Sequence, residues 1–401
     1  MNRSALFWGA LVLMAAVPWR AVARDINLDE IYLRKSSPAL KKLILYKLDA
    51  YERVNAHFVD RDAIFSAWTS GDQIVYIKEL PGGSNVVYRY NPHRRRLSEA
   101  GRFSGVVTYA RLSGRGRYVY LKRFVSDRGI IPRPGMVIID IAAGRVIERK
   151  SNFPFLDFSV AAGSDALYYE TKRGIVEYHP GGGEGRMMIP RAEYGDIAVS
   201  DNPSVGYLSP NLQRALVVNG GGGSYRAKLV RTANPVVIKG ITSGSEIHWL
   251  DNNRVAYRKG WTGNFSAVLY AINTGKSYPL VRQSFNTNLS YSNNGKNLAI
   301  LKDQVIMLHD LATGMTTSTG LEGEDLSFDP HGRYFTSLLF KKLFVVGIGT
   351  VHNRRIELQR AWKTIAQVYE SIRNDSSAFE NEYSSEYVKR KIALYRSLLR
   401  D

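Results

Sequence analysis

Few residues of this sequence have the type and spacing that catalysis or metal binding requires. The histidines are spread along the chain without the paired spacing of metal ligands. The absence of cysteine excludes disulfides, thiolate metal sites and a thiol nucleophile. We therefore predict no metal site and no other cofactor. The histidines are His57, His93, His179, His248, His309, His331 and His352.

Two segments approach catalytic motifs without completing them. Ser327-Phe328-Asp329 begins like the Ser-x-Asp-x-Gly turn of sialidases, but Gly332 falls one place late. The four glycines at 220–223 lack the Lys-Ser/Thr of a phosphate-binding loop. The Gly-x-Ser-x-Gly nucleophile elbow of hydrolases does not occur. The motifs favour a protein that is not an enzyme, while leaving an enzyme open.

Positive charge is the most distinctive chemical feature of the sequence. The 55 lysines and arginines against 36 acidic residues give a formal net charge of +19. Residues 89–133 alone hold twelve basic and two acidic residues, an excess of +10. Such a concentration of charge attracts anionic partners.

A repeated unit predicts the scaffold that must position these charges. Polar turns followed by short aromatic or aliphatic strands recur seven times, with spacings of 37 to 49 residues between markers. This is close to the period of about 40 to 50 residues that propeller blades show. The markers are Asp72, Gly116, Asp165, Leu212, Asn253, Gly295 and Gly332.

A second signal completes each unit. It is a strand, a tight polar turn and another strand, clearest in residues 137–148, 268–280 and 305–317. Each unit therefore contains four strands, and the sequence predicts an all-β fold: a seven-bladed β-propeller of four-stranded antiparallel blades with short flanking helices. We expect the segment around Ala56 to Asp60, or the segment after Val351, to complete the last blade, since an unpaired edge strand invites aggregation.

Strand direction assigns the charged turns to faces of the ring. In a four-stranded meander the first and third turns emerge on one face and the second turn on the other. The predicted basic face, which would bind a partner, carries Arg94, Arg95, Arg96, Arg115 and Arg117. The opposite face would carry a second set, either as an interface or as packed loop residues: Arg128, Arg133, Tyr225, Trp261 and Phe265.

The chain divides into four predicted segments. Residues 1–23 have a basic start, a 13-residue apolar run and a small-x-small ending at Ala23, as in a cleaved signal peptide. Residues 24–58 form an N-terminal helical segment, 59–351 the propeller and 352–401 a C-terminal helical hairpin. We expect an exported, periplasmic protein without a membrane span after cleavage, for which nucleic acid is excluded as a partner.

Both flanking segments show amphipathic patterns. Leu40, Ile44, Leu48 and Tyr51 recur at helical spacing, and Lys47 is predicted on the polar side. The C-terminal hairpin carries two apolar stripes, with Lys391 predicted on another face. The hairpin packs on the propeller or binds a partner, and peripheral contact with an anionic membrane is a further alternative. The stripes are Leu358, Trp362, Ile365, Tyr369, Ile372 and Val388, Ile392, Tyr395, Leu399.

Parts of the repeat resemble known propeller families. SYSNNGKNLAIL (290–301) and SFDPHGRYFTSL (327–338) look like the repeat of TolB-like periplasmic propellers. VIMLHDLATG (305–314) is similar to the strand and turn of tryptophan-aspartate repeat proteins. The resemblance implies a fold and a binding habit. Residues 24–58 are too short for the α/β domain that precedes TolB-like propellers, so a role in the Tol system is not carried over.

Two functions remain open at this point. The first is a periplasmic binding scaffold for an anionic envelope protein or glycan. The second is a propeller-type lyase or hydrolase with its active site at the mouth of the central channel. Acidic groups and histidines converging on the channel would favour the enzyme, and a plain channel would favour the scaffold.

The signal peptide leads to a direct prediction. We expect cleavage after Ala23 because small residues precede the predicted cleavage site. Mass spectrometry of the native protein should then find Arg24 as its first residue. A native protein that keeps Met1 and stays integrated in the membrane would contradict the prediction.

Overall fold

The computed structural model describes most of the chain. It consists of seven four-stranded antiparallel sheets and two groups of helices. The predicted signal peptide lies outside the described residues. These are 28–34, 37–125, 133–151, 158–182, 185–197, 204–221, 224–232, 236–241, 247–261, 264–284, 289–291, 295–380 and 384–400.

The first four blades follow one another along the chain. Blade one comprises β2 (Ala63–Trp68), β3 (Ile74–Leu80), β4 (Ser84–Asn91) and β5 (Arg96–Ser104). Blade two comprises β6 (Val106–Leu112), β7 (Tyr118–Val125), β8 (Arg133–Asp140) and β9 (Arg145–Ser151). Blade three comprises β10 (Ser159–Val160), β11 (Leu167–Thr171), β12 (Gly174–Tyr178) and β13 (Arg186–Pro190). Blade four comprises β14 (Val205–Leu208), β15 (Ala215–Gly221), β16 (Ser224–Val230) and β17 (Val236–Ile241).

The last three blades repeat the pattern. Blade five comprises β18 (Ile247–Trp249), β19 (Arg254–Trp261), β20 (Asn264–Ala271) and β21 (Lys276–Ser284). Blade six comprises β22 (Leu289–Tyr291), β23 (Asn297–Lys302), β24 (Val305–Asp310) and β25 (Thr316–Glu322). Blade seven comprises β26 (Glu324–Phe328), β27 (Tyr334–Leu339), β28 (Lys342–Gly347) and a strand from the far end of the chain, β1 (His57–Asp60). The predicted seven-bladed propeller is confirmed.

The ring is closed by its N-terminal strand. In β1, His57 pairs with Val345 and Phe58 with Phe344 of β28, antiparallel. The first of the two closures expected from the sequence is therefore the one observed. The first strands of the blades, β2, β6, β10, β14, β18, β22 and β26, contact one another in sequence around the channel, and β26 returns to β2. β1 is thus the outermost strand of blade seven and pairs the edge of β28 that would otherwise be unpaired.

Blades pack through both faces of each strand. In β7, Val119 and Leu121 join the apolar core shared with blade one, whereas Tyr118 and Tyr120 join the core shared with blade three. Every second side chain thus meets a different neighbour, and both sets are buried. This explains why the strands are rich in Val, Ile and Tyr and alternate imperfectly.

The helices form a cap on blades six and seven. The helical cap comprises α1 (Leu28–Tyr32), α2 (Pro38–Arg53), α3 (Ile348–Asn353), α4 (Arg355–Arg373) and α5 (Ser384–Leu398). Its apolar stripes share one core with residues of blades six and seven, and Trp362, Ile365 and Val388 are almost fully buried. Of the alternatives for the C-terminal hairpin, packing on the propeller is the one the structure shows. In the described residues, no helix is long and apolar enough to cross a membrane.

Two lysines predicted on polar faces are buried instead. Lys47 of α2 contacts the carboxylates of Asp29 and Glu322, and Lys391 of α5 donates to Glu322 Oε1 at 2.6 Å. Lys391 also donates to the carbonyl oxygen of Asp303 at 2.6 Å. These four residues, Asp29, Lys47, Glu322 and Lys391, form the buried charge cluster, with side chains no more than 1% exposed. The prediction of exposed lysines was wrong because both find buried carboxylates far away in sequence.

Tyrosine hydroxyls complete the hydrogen bonding of this cluster. Tyr395 donates to Glu322 Oε1 at 2.6 Å, and Tyr369 and Tyr387 donate to Asp29 Oδ1 at 2.9 and 3.1 Å. Burial opposes ionisation of Asp29, but Lys47 and Lys391 outweigh burial and hold its pKa below the usual value. Burial likewise opposes the charge on Lys47, but Asp29 and Glu322 outweigh it and raise the pKa. Asp29 and Lys47 are therefore held in their charged forms, whereas burial, together with the charge of Lys47, lowers the pKa of Lys391 despite the opposing effect of Glu322.

The buried charge cluster predicts that two carboxylates, Glu322 of blade six and Glu370 of the cap, differ in their contribution to stability. Glu322→Gln should lower the free energy of unfolding by about 3 kcal/mol or more, because it leaves buried ammonium groups undercompensated. Glu370→Gln, which removes a half-exposed partner of Arg396 at 2.7 Å, should cost less than about 1 kcal/mol. Urea denaturation followed by circular dichroism measures both. Equal losses in the two variants would show that the buried cluster contributes no more than a surface pair.

Candidate binding face

The first and third turns of the blades lie on one face of the ring, as expected. Arg94 and Arg95 lie in the turn between β4 and β5, and Arg96 begins β5. All three are exposed. The turn is shaped by Asn91, whose side-chain oxygen accepts from the backbone N–H of Arg94 at 2.9 Å. We call Arg94, Arg95 and Arg96 the arginine ridge.

Arg115 and Arg117 line a cleft between blades two and three. They lie in and next to the turn from β6 to β7, and both are exposed. The cleft has a volume of about 670 Å³. Its other lining residues include Tyr118 of blade two, Asp165, Glu177, His179 and Arg186 of blade three and Leu212 of blade four.

Each guanidinium in the cleft is held from one side by the chain itself. Arg117 donates to Asp140 Oδ2 at 3.1 Å and lies over the ring of Tyr118 at 4.9 Å. Arg186 pairs with Glu177 at 2.9 Å. Arg115 Nε donates to the carbonyl oxygen of Gly163 at 3.0 Å, across the boundary between the blades. The bonds orient the arginines before any ligand arrives.

The cations of the cleft face solvent and their carboxylate partners do not. The side chains of Arg117 and Arg186 are 56% and 72% exposed, whereas those of Asp140 and Glu177 are 7% and 8% exposed. The hydrogen bond from Arg117 to Asp140 raises the pKa of Arg117 above its ordinary value. A ligand entering from solvent therefore meets guanidinium groups first.

The five predicted arginines divide into two groups. Arg115 and Arg117 share the cleft, whereas Arg95 lies close to His57 and Tyr90, toward blade seven. Burial lowers the pKa of His57, and the charge of Arg95 lowers it further. Burial raises the pKa of Tyr90, and Arg95 opposes that effect.

Sequence reasoning missed two residues of this cleft, Arg186 and His179. Both flank the glycine-rich third turn of blade three, as the arginine ridge flanks the third turn of blade one. His179 Nε2 lies 3.7 Å from Glu177 Oε1. Their position at the third turn of a blade, where blade one carries its arginines, could have identified them. One arginine and one histidine, however, do not stand out in the composition.

The set predicted for the opposite face is only partly described. Arg128 lies outside the described residues, while Arg133 begins β8, Tyr225 lies in β16 and Trp261 ends β19. Phe265 is 8% exposed, with the guanidinium of Arg258 over its ring at 4.4 Å. Of the two alternatives for this set, Phe265 fits the packed one, because its ring is buried against Arg258.

One of the strands around the central channel, β6, carries an arginine that is influenced by several blades. Arg111 of β6 lies over the ring of Tyr109 at 4.5 Å. Burial opposes its charge, but Tyr109, Tyr207 and Asp325 raise its pKa. Tyr207 and Asp325 belong to blades four and seven, so groups of three blades act on the charge of Arg111. Among the described residues, no three His, Asp or Glu side chains are grouped as metal ligands.

Comparisons with known proteins agree on the fold alone. The chain matches no protein-family model, and no curated protein matches it in sequence. It is similar to a solved structure of Kuenenia stuttgartiensis hydrazine synthase, with 12% identity over 73% of this chain and 97% of that chain and a TM-score of 0.51. A crystal structure of the mitotic checkpoint complex gives 12% identity, 73% and 90% coverage and a TM-score of 0.51.

The resemblance to TolB-like and tryptophan-aspartate repeat propellers holds at the level of the fold. TolB from Acinetobacter baumannii shares 14% identity over 72% of this chain and 54% of that chain. Its TM-score of 0.34 is too low to carry an argument.

A close backbone approach beneath Arg115 can be tested directly. A Cβ at Gly114 would collide with the carbonyl oxygen of Ala161 in blade three, so Gly114→Ala should cost about 1–3 kcal/mol. Gly71 holds the equivalent turn of blade one, and its nearest obstacle is Thr69 Oγ1 at 3.9 Å. Thermal unfolding should show a lower Tm for Gly114→Ala and almost no change for Gly71→Ala. A stable Gly114→Ala variant would mean that blades two and three do not meet closely here.

Proposed function

We propose that this protein is an exported periplasmic scaffold whose basic face binds an anionic partner of the cell envelope, a protein or a glycan. The observation that carries the proposal is the set of exposed arginines in and beside turns of blades one to three. Five of them were predicted from the sequence, and Arg186 joins them in the cleft. The exposed N–H groups of these guanidinium groups can donate hydrogen bonds to carboxylate, phosphate or sulfate oxygens.

The arginine ridge supports this role because its charges are not neutralised by the chain. Within the described residues, Arg94, Arg95 and Arg96 form no ion pair. Three adjacent cations of this kind repel one another and gain from an anionic partner. The cleft between blades two and three adds further exposed positive groups, Arg115, Arg117 and Arg186.

The channel gives the competing enzyme function less support. A lyase or hydrolase at the channel mouth needs a group that exchanges protons or activates water near neutral pH. Arg111 lies on β6, one of the strands around the channel, and a guanidinium stays protonated under those conditions. We therefore place the function on the face of the ring.

Location in the periplasm rests on the amino-acid sequence. The basic start, apolar run and Ala23 of the N-terminus are typical of a signal peptide. An exported, strongly basic protein meets anionic envelope components rather than nucleic acid. Export and binding function are thus proposed together.

A charge reversal of the ridge tests the proposal. The change R94E, R95E and R96E should leave stability within about 0.5 kcal/mol, because all three side chains are exposed. It should strongly reduce recovery of the partner from the native envelope and flatten the salt dependence of binding. Affinity isolation with quantitative mass spectrometry at several salt concentrations measures both effects.

A matched control separates the ridge from total charge. K41E, K42E and K363E change net charge equally on exposed positions of the helical cap. This control should recover the partner as the unmodified protein does. Unchanged recovery with the ridge variant, or equal loss with both variants, would contradict a role for the ridge.

A further inference from the structure

We propose that the cleft between blades two and three recognises an acidic peptide segment, one that presents neighbouring Asp or Glu carboxylates. The inference rests on the proposed function and assigns its partner's chemistry and the point of contact. The cleft includes Arg186 and His179, which the sequence pattern did not single out. This inference assigns a protein segment, and not a glycan, as the occupant of the cleft.

The fixed arginines explain the preference for carboxylates. Arg117 is held by Asp140, Arg186 by Glu177, and Arg115 by the carbonyl oxygen of Gly163. One side of each group is occupied, and the planar fork can offer remaining N–H groups to two carboxylate oxygens. Orientation before binding reduces the entropy that a long side chain loses on binding.

Three arginines in one cleft can bind more than one ligand carboxylate through the N–H groups that Asp140, Glu177 and Gly163 leave unused. They come from blade two and blade three, and the cleft of about 670 Å³ lies between them. A volume of this size accommodates several side chains of a peptide. Adjacent acidic residues supply separate carboxylates along one backbone, so a short acidic run can engage the arginines together.

The lining favours a peptide over an acidic sugar. Sugar rings are commonly held against an exposed aromatic face, but Tyr118 is 8% exposed and its ring is covered by Arg117. Leu212 at the cleft is half-buried and offers an apolar contact for side-chain methylene groups. An Asp or Glu side chain combines such methylene groups with a carboxylate.

The test uses a fluorescein-labelled hexaglutamate peptide and measures fluorescence anisotropy at fixed salt. The unmodified protein should bind hexaglutamate, and hexaglutamine should not compete. The variant R115Q, R117Q and R186Q should weaken binding at least tenfold. The control K41Q, K42Q and K363Q removes the same charge from the helical cap and should change binding less than threefold.

Single variants keep the test valid if the triple variant unfolds. Arg115 contacts a backbone carbonyl rather than a buried carboxylate, so R115Q should keep the Tm of the unmodified protein and still weaken binding. R115K retains the charge but loses the planar fork, and should also weaken binding. Full affinity in R115Q and R115K would overturn the assignment of Arg115.

The remaining outcomes distinguish the two proposals. Absence of hexaglutamate binding, equal losses in the cleft and control variants, or stronger binding of oligogalacturonate, an acidic sugar polymer, would overturn the acidic-peptide inference. If ridge reversal then still abolishes envelope partner recovery, the proposed function stands without this inference. If neither ridge nor cleft variants affect partner recovery, the proposed function itself fails.

Discussion

The structure depends on one buried electrostatic arrangement, in which Lys47 joins Asp29 and Glu322 while Lys391 joins Glu322 from the other end of the chain. Lys47 lies in α2, and the ring-closing strand β1 begins only four residues after that helix ends. Tyr51 of the same helix donates to the backbone oxygen of Glu322 at 2.6 Å and contacts Ser337 Oγ of blade seven at 2.8 Å. Removing these charges from water is costly, so the arrangement specifies position more than it adds stability. It fixes where β1 must enter and thereby holds the ring closed.

A closed ring turns separate hairpins into one continuous binding face. Because neighbouring blades share apolar cores, their turns are pressed together at the surface. Ser70 of blade one donates to the backbone oxygen of Arg115 at 3.0 Å, and Arg115 in turn donates to Gly163 of blade three. The position of Arg115 is thus set by three blades. The cleft is a consequence of blade packing, and its geometry does not depend on any single loop.

The sequence was sufficient to predict the repeat and the four-stranded units, because these follow from local strand and turn patterns. For closure of the ring it left two terminal segments open, and the structure shows the one before β2. It was insufficient for interactions between distant parts of the chain. Lys47 and Lys391 carry the pattern of exposed helix residues, and only the proximity of Glu322, 275 residues beyond Lys47, explains their burial. Arg186 and His179 were missed for the same reason, since their relation to Arg117 arises where blades two and three meet. Phe265 was assigned to the opposite face from strand direction. Its burial against Arg258 is a contact that residue spacing does not predict.

The two groups of arginines differ physically, and this difference suggests how the proposed function divides between them. The arginine ridge is exposed and unpaired within the described residues, so its charge extends into solvent and is screened by salt. Charges of this type mainly accelerate encounter with a partner. The cleft arginines are oriented by Asp140, Glu177 and Gly163, so their hydrogen bonds can form with little further ordering. Interactions of this type mainly slow dissociation, which is where most differences in affinity between related complexes arise. A partner attracted by the ridge would therefore be retained by the cleft, where Arg186 of blade three joins Arg115 and Arg117 of the basic segment 89–133.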